Sequence, residues 1–376
     1  MKKNTLLPIA LLCLLFGQFA DAQTADKKAT KETKQLLINL HKQYGKGVLF
    51  GHQDDLAYGV GWKYEDGRSD VKEVVGEYPA VYGWDFSGIE KNGGLLNIDG
   101  VPFDKMRQYI VDGYKRGSVI TLSWHLDNPL TGKTAWDTTH GGVAAALPGG
   151  SANKLYTVWL DKVAAYALSL KGPKGELIPI LFRPFHELTG NWFWWTQNTC
   201  TATEFIQLWK YTIQYLKDTK QVHNLLYVYN TAGDCKTKEA FMERYPGDDF
   251  ADIISFDAYQ YNDPAIDNSF IKSVDNLLGI ADTAAMEHHK IMALGETGYE
   301  AIPYTEWWTK TLWPAMQHHM PLYVLLWRNA GKQDNGHMHY YVPYKGQVSA
   351  PDFKTFFMLD KVLFEKKANS QNLYSR

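Results

Sequence analysis

Eight short apolar segments recur along this chain, and their pattern constrains the fold more than any other feature. They are VLFGHQ (48–53), AVYGWDF (80–86), SVITLSWH (118–125), IPILFRPFHE (178–187), NLLYVYN (224–230), DIISFDAY (252–259), KIMALGETG (290–298) and LYVLLWRNA (322–330). Each is a nearly unbroken apolar run rather than an alternation, as strands covered on both faces require. Between them lie amphipathic stretches suited to helices, among them Phe103–Lys115, Lys154–Leu170, Thr203–Asp218 and Thr305–His318. Leu36, Leu37, Leu40 and Tyr44 fall on one face of a further helix before the first run. Eight such repeats predict an α/β chain folded as a single (β/α)8 TIM barrel, with its active site at the C-terminal ends of the strands. A doubly wound sheet is the competing architecture, but no glycine-rich phosphate fingerprint follows the first run. Solenoid-length repeats, low-complexity tracts and a second domain are all missing from the sequence.

The ends of the chain read differently. Residues 1–22 have the layout of a secretory signal: Lys2 and Lys3, an apolar centre, then Ala20-Asp21-Ala22 as a cleavage site. The apolar stretch is short and lacks stop-transfer flanks, so no membrane anchor is expected after cleavage. Leu12 stands before Cys13 where a lipid-attachment motif wants a small residue, which argues against a lipoprotein. The chain is thus expected to be exported, to the periplasm or beyond. Residues 23–34 read as a flexible polar segment, 35–366 as the catalytic barrel, and 367–376 as a frayed tail. The segment 351–364 reads as the closing helix.

Charge narrows the partners. The net charge of −2 becomes −3 once residues 1–22, with two lysines and one aspartate, are removed. No basic patch suits nucleic acid, and no polybasic stripe suits a membrane surface. A neutral partner fits best. Cys200 and Cys235 remain in the exported part, after the fourth and fifth runs. They are a disulfide candidate in an oxidising compartment, the alternative being two unrelated thiols.

Polar residues gather where the apolar runs end: His52, Asp85, His125, His186, Glu187, Asn230, Asp257, Tyr259, Glu296 and Arg328. A barrel collects those ends on one face. Glu187 is expected at the end of strand four and Glu296 at the end of strand seven, on opposite sides of the barrel mouth. Aromatic residues make up 14% of the chain, with 13 tryptophans, and four of the rings follow Glu187 in NWFWW. Flat rings stack on sugar faces, and a carboxyl in apolar surroundings holds its proton more readily. Glycosidic cleavage needs one carboxylic acid for the leaving oxygen and one carboxylate that attacks carbon or activates water. A separation of about 5–5.5 Å would give retention of configuration. His186 and Arg183 flank Glu187 and can tune its proton affinity in a direction the sequence leaves open.

The stretches VLFGHQDD (48–55), TLSWH (121–125) with AWD (135–137), RPFHELTGNWFWW (183–195), FDAY (256–259), LGETG (294–298), LLWRNA (325–330) and HYYVPYKGQVSAPDF (339–353) resemble glycoside hydrolase family 26. The best-known members of that family are β-mannanases. The likeness spans residues 35 to 365, and His-Glu rather than Asn-Glu at strand four is its distinctive mark. It implies that Glu187 is the general acid/base and Glu296 the nucleophile. Tyr259 would hydrogen-bond the nucleophile. His186 and His125 would hold the sugar in the cleaved position, over Trp327 as an apolar floor. Trp192 would be the platform on the leaving-group side, with Asp257 and Arg328 lining the cleft and Trp136 a further wall.

The expected activity is retaining hydrolysis of β-1,4-mannan, glucomannan or galactomannan, endo-acting or mannobiose-releasing, with no metal and no organic cofactor. The physics alone does not select mannose: a barrel acting on β-glucan or β-xylan would use the same carboxylates. A non-catalytic polysaccharide-binding barrel is the other class, disfavoured by the presence of both glutamates and Tyr259. Other signals are weaker. His337-Met338-His339 could chelate a metal but lacks further ligands at familiar spacing. Asp54-Asp55 suits a helix cap better than a cation site. In the run Trp192-Phe193-Trp194-Trp195 some rings must be core, since not all can face one ligand. Neutralising a nearby carboxylate is the competing reading of Arg328, and a buried core ring is that of Trp327.

Overall fold

The computed structural model describes residues 23–91 and 93–375, so the signal-like segment lies outside the described residues. Eight parallel strands close into a barrel: β1 Val48–Gln53, β2 Val81–Asp85, β3 Val119–Trp124, β4 Ile180–Pro184, β5 Leu225–Ala232, β6 Ile253–Gln260, β7 Ile291–Tyr299 and β8 Tyr323–Leu326. Closure is made by β8 against β1, with Leu49 opposite Tyr323 and His52 opposite Leu326. The architecture is a single (β/α)8 barrel, as the eight runs predict.

Side chains alternate across each strand, so one residue in two points into the barrel. The inward set includes Leu49, Val81, Val119, Leu181, Leu226, Val228, Ile253, Ile291, Ala293, Tyr323 and Leu325, one connected core. Leu36, Leu37 and Leu40 of helix α1 (Lys31–Gln43) belong to the same cluster. They plug the end of the barrel at which the strands begin. Outward residues such as Phe50, Trp84, Phe182, Tyr227, Phe256 and Leu326 form the second core, under the helices. Both faces are covered, which is why the runs are unbroken.

The helical stretches also match, with local differences. Helices α2 (Phe103–Lys115), α3 (Asn153–Ser169), α4 (Ala202–Gln214) and α5 (Ser269–Glu287) pack outside. The first turn of α4 is set by a capping box, Thr201 with Glu204. The stretch 305–318 is not one α-helix: a π turn, Trp308–Leu312, runs into a short α segment, Trp313–Met316. The closing helix α6 covers Ala350–Met358, after which Val362 and Leu363 pair beside β1.

Both ends of the described chain are more ordered than their composition predicts. Thr24, Ala25, Asp26 and Ala29 are buried. The Ala25 N–H donates to Asp252 Oδ1 at 2.7 Å, and Asp26 meets His223 at 2.6 Å. Thr30 then caps α1, which begins at Lys31 inside the segment expected to be flexible. At the other end Leu373 is buried in the inner core, and Tyr374 donates to the Ser118 carbonyl at 3.0 Å. A polar sequence can dock when its few apolar and charged groups all find partners.

Candidate active site

The carboxylates converge because of where the inward positions fall. On β6 the inward series continues from Ile253 through Ser255 to Asp257. On β7 the series Ile291, Ala293 would reach residue 295 next and leave 296 facing out. The register slips there: Leu294 pairs with Phe256, yet Glu296 pairs with Asp257. Gly295 is the extra residue of a β-bulge, which re-aims the following side chain. A Cβ on Gly295 would lie 2.6 Å from Asp257 Oδ1 and 2.7 Å from Asn230 Nδ2, so only glycine fits. The bulge therefore turns Glu296 into the barrel mouth beside Asp257.

Arg183, inward on β4 and buried, binds both. Its Nη1 donates to Asp257 Oδ2 at 2.6 Å and its Nη2 donates to Glu296 Oε1. Tyr259 donates to the other oxygen, Glu296 Oε2, at 2.9 Å. Both oxygens of Glu296 thus accept hydrogen bonds, an arrangement that suits an ionised carboxylate.

Glu187 is held differently. Strand β4 stops at Pro184, three residues earlier than expected, and Glu187 lies on the turn that follows. Phe185 and Glu187 both have φ of 52°, a left-handed conformation that non-glycine residues rarely adopt. The Glu187 N–H is secured by Asn230 Oδ1 at 2.8 Å. Trp192 Nε1 donates to its carboxylate at 2.5 Å. Burial pushes the Glu187 carboxyl up to about 7; the charge of Glu296 pushes the same way and the Trp192 hydrogen bond opposes it. Oxygens of Glu187, Asp257 and Glu296 all lie within 4.8 Å of one another. Among the described residues this is the one grouping close enough for a metal, but Arg183 already supplies the countercharge.

On the other flank stand two histidines whose surroundings shift them in opposite directions. Asp85 at the end of β2 takes the Nδ1–H of His125 at 2.7 Å. Burial alone would lower the His125 pKa, but Asp85 outweighs it and holds the ring above its ordinary value. His186 lies 2.9 Å from His125, ring nitrogen to ring nitrogen. Burial, then the charges of His125 and Arg183, push His186 well below its ordinary value. Two imidazoles pushed in opposite directions therefore sit side by side. Trp136 stacks on His125 at 5.4 Å and 15° and is half exposed.

Of the four rings after Glu187, Trp192 is exposed, Phe193 packs on His186, and Trp194 and Trp195 are core. Trp327 follows β8 with its ring 6.3 Å from His125. It lines a hollow of about 170 Å³ with Tyr259, Tyr261, Glu300 and Tyr341, so it is not a core ring. A larger hollow of about 380 Å³ opens from Glu187 and Trp192 past Asp234 and Tyr261.

Some expected residues lie elsewhere or are otherwise engaged. Arg328 pairs through Nε with Asp99 at 2.9 Å, the neutralising alternative, with Asp54 and Tyr58 behind it. His52 points away from the barrel interior, onto Asp55 at 2.7 Å. Asp54, buried with φ of 56°, accepts from Tyr58, so neither aspartate caps a helix. Cys200 and Cys235 are unbonded: Cys200 lies against Arg244 at 3.5 Å and Cys235 against Thr189 at 3.8 Å. His337 and His339 both close on Glu300, at 2.9 and 2.6 Å. Asp99 and the bulge at Gly295 shape this mouth and were missed by sequence reading. A glycine inside the apolar run KIMALGETG was the available signal for the bulge; Asp99 had none.

The family model described as glycosyl hydrolase family 26 matches residues 25–312. A mannan endo-1,4-β-mannosidase of Bifidobacterium adolescentis is 36% identical over 364 residues, covering 92% of this chain and 36% of that protein. One of Thermothelomyces thermophilus is 26% identical, covering 73% of this chain and 52% of that protein. The chain thus spans about a third and about a half of the length of these relatives. Among solved structures, a GH26 β-mannanase from Bacteroides ovatus superposes with a TM-score of 0.87 at 44% identity, covering 92% of this chain and 98% of that one. A GH26 protein from Muricauda gives 0.84 at 30% identity, covering 94% and 96%.

Proposed function

The chain belongs to glycosyl hydrolase family 26, and from that premise we propose that it is an exported, retaining endo-β-1,4-mannanase. One observation carries the mechanism. Two carboxylates with oxygens within 4.8 Å of each other differ in their surroundings, one pushed up to about 7 by burial and the other gripped by Arg183 and Tyr259. Inverting enzymes hold the two groups about 6.5–9.5 Å apart to fit a water beside the sugar, so this closer pair supports direct attack by the second carboxylate.

Glu187, protonated near neutrality, gives its proton to the leaving glycosidic oxygen. Glu296 attacks the anomeric carbon from the opposite face, and the C–O bond to the leaving sugar breaks as the glycosyl–enzyme ester forms. Glu187, now a carboxylate, removes a proton from water, which displaces Glu296 and restores the original configuration. Arg183 and Tyr259 support the departure of Glu296 by stabilising the charge that returns to it. His125 and His186 offer hydrogen bonds to the sugar on the side away from the leaving group, beside the ring of Trp327. Trp192 offers a stacking face on the leaving side.

The mannan substrate is supported by the relatives, each named a mannan endo-1,4-β-mannosidase. Export is supported by the signal-like layout of residues 1–22. Among the described residues no helix is long and apolar enough to cross a membrane.

Glu296→Ala is expected to fold normally and lose turnover on mannan by several orders of magnitude. Near-normal release of reducing sugar by that variant would sink the assignment. The same assay on lichenan and xylan tests the sugar. Early products from a long manno-oligosaccharide test the mode: a ladder supports endo action, dominance of mannobiose refutes it.

A further inference from the structure

We infer that Asn230 is a positioning residue that ties the backbone carrying the acid to the side chains holding the nucleophile, and so sets the gap between Glu187 and Glu296. The inference rests on the retaining reading above. The Asn230 side chain is fully buried at the mouth end of β5. Its Oδ1 accepts the backbone N–H of Glu187 at 2.8 Å. Its Nδ2 donates to Asp257 Oδ1 at 2.8 Å and to Ser255 Oγ at 2.8 Å. A flipped amide would set carbonyl against carboxylate and NH₂ against N–H, so chemistry fixes this orientation.

The connection continues beyond the amide. Asp257 Oδ2 holds one arm of the Arg183 guanidinium, and the other arm holds Glu296. A bonded path therefore runs from the backbone of one proposed catalytic residue, through Asn230, Asp257 and Arg183, to the carboxylate of the other. The same amide and carboxylate pack against the Gly295 bulge that turns Glu296 inward. Position matters most at Glu187, because its left-handed backbone does not hold itself. The Leu188 N–H, bonded to the Asn230 carbonyl at 3.3 Å, anchors the same turn from the other side.

Asn230→Ala removes the anchor from Glu187 and one donor from Asp257. A displacement of about 1 Å in such a site costs about 100-fold in rate, so a loss of that size in kcat on mannan is expected, with KM little changed. Plain structural damage would also slow the enzyme, so the deciding readout is azide rescue on dinitrophenyl β-mannobioside. Dinitrophenolate leaves without a proton, and the glycosyl–enzyme then waits for a base to activate water. Azide needs no base: its nitrogen bonds to the anomeric carbon, the ester bond to Glu296 breaks, and the electron pair returns to that carboxylate.

A misplaced Glu187 thus predicts more than about tenfold acceleration of Asn230→Ala by azide, with β-mannobiosyl azide as product, while the unmodified enzyme gains nothing. Asn230→Asp is isosteric and keeps an acceptor for the Glu187 N–H, so it should lose mannan activity without gaining azide rescue. Asn230→Ser serves as the rescue test if the alanine variant does not fold. Glu187→Ala is the control. If it is accelerated and neither Asn230→Ala nor Asn230→Ser is, the inference is overturned. If Glu187→Ala itself is not accelerated, the acid/base reading of Glu187 fails instead.

Discussion

In the proposed role of acid, Glu187 must be buried enough to keep its proton and open enough to meet a leaving oxygen, and these demands leave a signature in both activity and stability. With its carboxyl pushed up to about 7 by burial, kcat/KM should fall as pH rises through that value, since the acid form is required. The stability consequence has a definite sign. An unfolded glutamate loses its proton near ~4.3, whereas the folded one keeps it to about 7. Between those values the folded chain binds more protons, so stability declines as pH rises. Glu187→Gln mimics the protonated form permanently. It should be inactive on mannan, equal to the unmodified protein in stability at pH 4, and more stable by about 1–3 kcal/mol at pH 8. Denaturant titrations at the two pH values check this, and a destabilised variant at pH 8 would refute the burial argument. At this scale much was legible in the sequence. RPFHE and LGETG marked both glutamates, and the aromatic run marked Trp192. The left-handed turn after Pro184 was not, because its hydrogen-bond partner, Asn230, lies 43 residues further along. Nor was the partner of Arg328, since Asp99 reaches it from a loop with no distinguishing pattern.

Among the elements, β7 shows how one irregular residue redirects a strand. Its sequence reads as an unbroken buried run, and strict alternation would place Glu296 under the helices. The bulge at Gly295 prevents that, and its two contacts leave no space for a methyl group. Gly295→Ala is therefore expected to lower stability by about 1–3 kcal/mol through overpacking. It should also reduce kcat on mannan far more than a comparable core change would, because Asp257, Asn230 and Glu296 must all shift. Comparing it with Ala293→Gly, one turn of the pleat deeper, separates loss of stability from loss of chemistry. Equal losses of kcat in both variants would refute the role given to the bulge. The existence and order of all eight strands were legible because burial on both faces demands continuous apolar runs. Their ends were less so: β4 was expected to reach Glu187 and stops at Pro184, where the backbone changes hand. Strand pairing registers depend on contacts between distant segments, which no local pattern records.

Across the whole molecule the barrel divides its labour by end, with polar convergence at the mouth and closure at the base. The base is sealed by α1 and by the segment before it, which composition alone assigned to flexibility. Ala25 donates to Asp252, which also accepts the Tyr227 N–H at 2.7 Å, and burial pushes Asp252 up to about 6. Asp26 meets His223 from the same segment. Removing residues 23–29 would therefore open a buried carboxylate and the part of the outer core where Ala25 packs to water, at the end of the barrel remote from Glu187. Hydrogen bonds to charged groups contribute about 1.5–3 kcal/mol each when broken on one side, so the truncated protein should unfold at a lower temperature. Its kcat/KM on mannan at 25 °C should stay within about twofold, since stability lives at one end of this fold and catalysis at the other. Thermal denaturation and steady-state kinetics on the same preparation test both halves. A truncated protein of unchanged Tm would show that these buried contacts add nothing. One of unchanged Tm but altered kcat/KM would show instead that the base communicates with the mouth. Exchange of the Tyr227 amide with deuterium should quicken in the truncated form, because its acceptor, Asp252, then competes for water.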